Sequence, residues 1–115
     1  MVIPGAVLVV DDDRDMRDTV AAVLEAEGYD VRCAENGAQA LALMHGPKPG
    51  VIVLDLLMPV MSGWELIDAV QCDKELALVP VVVLSAMRAP AGLPHLAKPV
   101  SSDDLVATVD RICGR

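Results

Sequence analysis

The sequence contains no phenylalanine, one tryptophan and one tyrosine, so aromatic residues make up 2% of its 115 positions. A core without Phe must be closed by Val, Leu, Ala, Ile and Met, and hydrophobic residues do account for 54% of the chain. Bases are scarce too: 9 Lys and Arg stand against 17 acids, for a net charge of −8 and a pI near 4.4. That deficit argues against direct nucleic-acid binding, which needs clustered cations to displace phosphate counterions. It argues equally against an anionic membrane surface. No uncharged run reaches the roughly 18–20 apolar residues of a membrane span; none exceeds twelve, and Leu76 to Met87, of that length, includes Pro80. The opening Met1-Val2-Ile3-Pro4-Gly5 lacks a basic region, and the apolar stretch after it ends in three aspartates, so no signal peptide is expected. Cys33, Cys72 and Cys113 are odd in number and far apart, with no CxxC pair or Cys/His cluster. Neither a disulfide framework nor a zinc site is expected, and a reducing cytoplasm is the expected compartment.

What is present points to one folded unit. A mean hydropathy of +0.48 excludes disorder. A chain of this length is one domain, here taken as 1–115, and can bury roughly two-thirds of its unfolded surface. Ala6 to Val10 is an apolar run of strand length that stops at Asp11. From Arg14 to Glu27, Met16, Val20, Val23 and Leu24 follow helical spacing, and Gly28 offers a stop. Tyr29 to Ala34 alternates, with Val31 and Cys33 on one side. Asn36 is placed to cap a helix through Met44, with Gln39 three residues later as in a capping box. Val51 to Leu54 is a second buried run, and it too ends in an acid, Asp55. Ser62 with Glu65 repeats the capping pattern ahead of Leu66, Ile67 and Val70. Val79 to Leu84 reads as a fourth strand, and Leu96-Ala97 as a short fifth closed by Lys98-Pro99. Ser101 or Ser102 caps a last helix with Leu105, Val109 and Ile112 on one stripe. Fully apolar strands alternating with helices mean a parallel α/β sheet covered on both faces.

Sheets of this kind bind ligands outside the carboxyl ends of their strands. The residues expected there are Asp11, Asp12 and Asp13, then Asp55, Ser85 and Lys98. Carboxylates crowded at one edge repel one another unless a cation joins them, and hard oxygen donors suit Mg2+. One Asp is then available as a nucleophile, with a hydroxyl and an ammonium to bind phosphoryl oxygens. Each residue also has a plainer role: Asp13 as a helix cap, Asp55 as strand punctuation, Lys98 as a loop residue. It is their gathering at one edge that points to phosphoryl chemistry. Two look-alikes fail. Met16 stands where an EF-hand loop needs glycine, and Asp15 stands where a haloacid-dehalogenase phosphatase has threonine. No P-loop or GxGxxG is present, so nucleotide binding has no support.

The chain resembles the receiver domain of bacterial two-component response regulators, the CheY-like fold. The resemblance rests on Val7-Leu8-Val9-Val10-Asp11-Asp12-Asp13, on Val53-Leu54-Asp55-Leu56-Leu57-Met58-Pro59 with Ser62-Gly63, on Leu84-Ser85-Ala86 and on Ala97-Lys98-Pro99. It implies a doubly wound five-stranded parallel sheet in the order 2-1-3-4-5 with helices on both faces. It implies that Asp55 accepts a phosphoryl group from a histidine kinase or histidine phosphotransfer protein. Asp11, Asp12, Asp55 and the backbone carbonyl of Leu57 would bind Mg2+, Ser85 would donate to the phosphoryl group, and Lys98 would neutralise it. The protein would be a self-modifying signalling switch rather than a turnover enzyme.

The departures from that pattern are specific. Thirteen positions separate Ser85 from Lys98, where the family usually has just over twenty, and Pro90, Gly92 and Pro94 interrupt them. The fourth helix is therefore expected to be missing or much shortened, while the connection is still long enough to return a parallel fifth strand. A sheet region left open there makes a homodimer plausible. His95 stands where the family has its aromatic switch, so a switch through Ser85 and His95 is one reading and a partly exposed, inactive His the other. A phosphorylation-independent interaction module is the alternative function, and a small Mg2+-dependent phosphatase is a third. Leu57 and Met87 lie two residues beyond Asp55 and Ser85, and the resemblance implies that these positions flank the approach of water, which apolar side chains would exclude. Leu57→Asn is predicted to shorten the lifetime of an acyl phosphate on Asp55, followed by phosphate release; an unchanged or longer lifetime contradicts that role.

Overall fold

The computed structural model describes residues 6–44, 49–55, 63–74, 76–85, 95–97 and 101–113. β1 (Val7–Val10), β2 (Val31–Ala34), β3 (Val51–Asp55), β4 (Val81–Ser85) and β5 (His95–Ala97) form one parallel sheet in the order β2-β1-β3-β4-β5. The helices are α1 (Arg14–Ala26), α2 (Gly37–Met44), α3 (Gly63–Cys72) and α4 (Ser102–Cys113), with a 3-10 turn at Leu76–Leu78. The expected sheet and strand order are therefore observed. β4 and β5 pair in parallel although only residues 86–94 connect them, so the short connection does return the fifth strand. The expectation that this connection lacks a full helix lies outside the described residues.

Two cores follow from the two-residue period of the strands. Leu8 and Val10, Ile52 and Leu54, and Val81 and Val83 pack with Ala40 and Met44 of α2 and Leu66, Ile67 and Val70 of α3. The alternate residues Val7 and Val9, Val51 and Val53, and Val82 and Leu84 pack with Val20 and Leu24 of α1 and Leu105 and Val109 of α4. Aliphatic side chains thus fill both layers, and burial of each Val, Leu or Ile stabilises the fold by about 1.5–3 kcal/mol. Among the described residues, no helix is long and apolar enough to cross a membrane.

Local sequence sets the element ends. Gly28 takes φ 92° after α1. Its amide donates to the Glu25 carbonyl at 3.0 Å, and the Tyr29 amide donates to the Leu24 carbonyl at 3.2 Å. This is a Schellman closure, with buried Tyr29 in the same core as Leu24. It also explains why β2 starts at Val31 rather than at Tyr29: Tyr29 is still finishing the helix. The Tyr29 hydroxyl then bonds the Asp110 carboxylate, tying the α1–β2 turn to α4. Asn36 caps α2 as expected, its Oδ1 accepting the Gln39 amide at 2.8 Å. Gln39 Oε1, however, takes the amide of Glu35 rather than that of Asn36, at 2.7 Å. Ser101 is the cap of α4, its hydroxyl accepting the Asp104 amide at 3.1 Å. β4 begins two residues later than expected because Pro80 has no N–H to donate; its carbonyl instead accepts the Ile52 amide at 2.9 Å.

Leu24 is 0% exposed and Leu78 84% exposed. Leu24→Ala is predicted to cost about 2–5 kcal/mol of unfolding free energy and Leu78→Ala less than about 0.5 kcal/mol. Urea titration of both variants checks this, and equal losses would contradict the assigned core.

Candidate functional site

Parallel pairing sends every strand's last residue to the same edge of the sheet. Val10 pairs with Leu54, so Asp11 and Asp55, each the next residue, emerge at one level from neighbouring strands. Adjacent strands lie about 4.8 Å apart. Asp55 in turn pairs with Leu84, which brings Ser85 one step beyond it, and Ser85 pairs with Ala97, the residue before Lys98. The backbones of Asp11, Asp55, Ser85 and His95 are thus placed in the sheet or directly at its end. The side chains of Asp55, Ser85 and His95, and the whole of Leu57 and Lys98, lie outside the described residues.

The turn after β1 divides its three aspartates. Asp11 is buried, at 2% exposure, while Asp12 and Asp13 are exposed. The Asp11 amide donates to the Ala34 carbonyl of β2 at 3.1 Å, continuing the β1–β2 pairing one step past the strand. Its Oδ1 accepts the Asp13 amide at 2.9 Å, an Asx turn that directs the chain from the sheet into α1. Its Oδ2 is enclosed as well. A buried carboxylate is costly unless hydrogen bonds or opposite charge compensate. Asp13 caps α1, with Oδ1 accepting the amides of Asp15 at 3.0 Å and Met16 at 3.3 Å. The plainer reading therefore applies to Asp13, and Asp11 and Asp12 are left as candidate ligands.

Arg17 borders the candidate site without belonging to any of the motifs that mark it. Its Nη1 donates to the Asp11 carbonyl at 2.9 Å. A cation in the first turns of a helix opposes the helix dipole, and that misplacement was the signal available in the sequence. Arg14, by contrast, pairs with Asp18 at 3.8 Å on the open surface, where such pairs contribute little. Cys33, next to the end of edge strand β2, is exposed. Partial desolvation nonetheless pushes its thiol above the ordinary value; Arg17 pulls it back, and Asp18 and Glu25 raise it further. Among the described residues, no group of three Asp, Glu, His or Cys side chains is placed to hold a metal ion. The pair Asp11 and Asp12 consists of hard oxygen donors, which suit Mg2+ and not a soft metal.

A model of the response regulator receiver domain matches residues 7–110. The chain belongs to the response regulator receiver family, whose members are signalling switches. It is 36% identical to the sensor histidine kinase TmoS of Ectopseudomonas mendocina, over 92% of this chain but 12% of TmoS. It is 28% identical to protein PilH of Pseudomonas aeruginosa, over 92% of this chain and 95% of PilH. Among solved structures, chemotaxis protein CheY4 of Vibrio cholerae superposes with a TM-score of 0.86 at 31% identity, covering 94% of this chain and 98% of that one.

Two outcomes follow from this geometry. Asp13→Ala is predicted to lower stability by about 1 kcal/mol, as loss of a helix cap does, and to leave Mg2+ affinity unchanged by calorimetry; lost affinity would make Asp13 a ligand. Because its thiol is pushed up, Cys33 is predicted to react with iodoacetamide at pH 8 more slowly than the same cysteine in an unstructured peptide. Equal or faster alkylation, read by peptide mass mapping, contradicts the environment described.

Proposed function

We propose that this chain is a phosphoacceptor switch of a two-component or phosphorelay system, modified on Asp55. The observation that carries the reading is the β1–β3 register, which delivers Asp11 and Asp55 side by side at the carboxyl edge of the sheet. The donor is a phosphohistidine on a histidine kinase or histidine phosphotransfer protein. One relative, TmoS, is by name a sensor histidine kinase. An Asp55 oxygen attacks phosphorus, the O–P bond forms as the N–P bond breaks, and the departing imidazole keeps the electron pair and takes up a proton.

Asp11, Asp12, Asp55 and the Leu57 carbonyl are the residues that would hold Mg2+, all through oxygen. When bound, the cation supplies neutralisation of charge on the phosphoryl oxygens. Asp11 is held in place by the Asp13 amide through one oxygen, which keeps its carboxylate from rotating. Asp12, exposed beside it, presents a carboxylate to the solvent from which a hydrated cation arrives. Ser85 donates its hydroxyl and Lys98 its ammonium to the remaining phosphoryl oxygens. Ser85 and His95 then carry the conformational change on which signalling depends, and hydrolysis of the acyl phosphate resets the protein. The site acts once per cycle on its own side chain, as a switch does.

The test is to incubate the protein with Mg2+ and acetyl phosphate or phosphoramidate and weigh it intact. A gain of one phosphoryl group that disappears in Asp55→Asn and on removal of Mg2+ is the expected result. No adduct would point to a phosphorylation-independent interaction module, and repeated turnover of phosphate esters to a hydrolase.

A further inference from the structure

We propose that Arg17 is a positioning residue for the divalent cation, acting by clamping the peptide that joins Asp11 to Asp12. The proposal rests on the Mg2+ reading above, and it concerns a residue outside the ligand set.

Three bonds converge on Asp11 from three directions. Its amide is held by the Ala34 carbonyl at 3.1 Å, its Oδ1 by the Asp13 amide at 2.9 Å, and its carbonyl by Arg17 Nη1 at 2.9 Å. The first two fix where Asp11 sits and where its own carboxylate points. The third does something different. A peptide unit is planar, so a donor that holds the Asp11 carbonyl also fixes the orientation of the Asp12 amide and the direction in which the chain leaves toward Asp12. Without it, the plane between two adjacent acids keeps only the restraint of the Asx turn, and the exposed Asp12 carboxylate has a less firmly fixed origin. Arg suits this task because its guanidinium stays charged and carries several donors on a rigid fork. A charge-assisted bond to a carbonyl is also stronger than a neutral one.

The location is otherwise unfavourable, which makes the contact informative. Arg17 sits one turn into α1, where the helix dipole disfavours a cation. A positive charge beside the acids should moreover repel an incoming Mg2+. If Arg17 acted only through its charge, its removal would tighten cation binding; if it acts by positioning, removal weakens binding. The two effects have opposite signs, and the geometry supports the second. Removing a group that orients a metal ligand typically costs about 10–100-fold in metal affinity.

The experiment titrates Mg2+ by calorimetry, and Mn2+ by its paramagnetic spectrum, into wild type, Arg17→Met, Arg17→Lys and Arg17→Gln. Circular dichroism and urea midpoints on each variant confirm that the comparison is made on folded protein. The expected result is about tenfold weaker binding for Arg17→Met, with affinity partly recovered in Arg17→Lys, which keeps a charged donor. Should Arg17→Met fail to fold, Arg17→Gln, a shorter neutral donor, is expected to show the same weakening. Unchanged or tighter binding in the folded variants, beside normal wild-type binding, overturns the positioning role alone. Absence of saturable binding in wild type overturns the Mg2+ reading and this inference with it.

Discussion

In a parallel sheet every strand points the same way, and so every strand hands its last residue to one edge. β1, β3 and β4 are uninterrupted aliphatic runs because both of their faces are covered, by α2 and α3 on one side and α1 and α4 on the other. Such strands have no room for polar chemistry along their length. The acids and the hydroxyl therefore fall where the aliphatic run stops, at Asp11, Asp55 and Ser85, and register alone makes them neighbours. Burial sets the positions of the strands, and the positions of the strands set the site.

The β1–α1 turn shows how closely structure and candidate chemistry share residues. Of three consecutive aspartates, one is enclosed and bonded, one is exposed, and one caps a helix. The cap gives α1 a fixed start, and α1 in turn returns Arg17 to the turn that precedes it. Further along, the same helix ends in a glycine closure whose next residue, Tyr29, fills the core and bonds Asp110 on the last helix. One helix thus connects the acidic edge to α4, which makes the site part of a continuous packed layer rather than an isolated loop.

Much of this was legible in the sequence because it is written as pattern. Continuous aliphatic runs ending in acids gave β1 and β3, and the helical spacing of Val20 with Leu24 and of Leu105 with Val109 gave α1 and α4. Caps at Asn36 and Ser101 follow from side-chain chemistry at one position. What escaped the reading depends on tertiary placement. Tyr29 has strand propensity, but the glycine before it recruits it to the helix closure. Val79 and Pro80 look like strand, but the ladder needs a donor that proline lacks. The 3-10 turn at Leu76–Leu78 has no periodicity to announce it. Arg17 carried only the weak signal of a cation in the first turns of a helix, because its partner is a backbone carbonyl, which every residue carries. The roles of Leu57, Lys98 and His95 are argued from resemblance to the family, and the sheet contributes only the strand ends on which they follow or stand.

Of the acids at this edge, Asp55 is the proposed phosphoacceptor. Borohydride reduction of the phosphorylated protein converts an acyl phosphate to an alcohol, and peptide mass mapping then locates it. Homoserine is expected at position 55, with unmodified aspartate at positions 11, 12 and 13. Homoserine at any of those three positions, with position 55 unmodified, would rule out Asp55 as the acceptor.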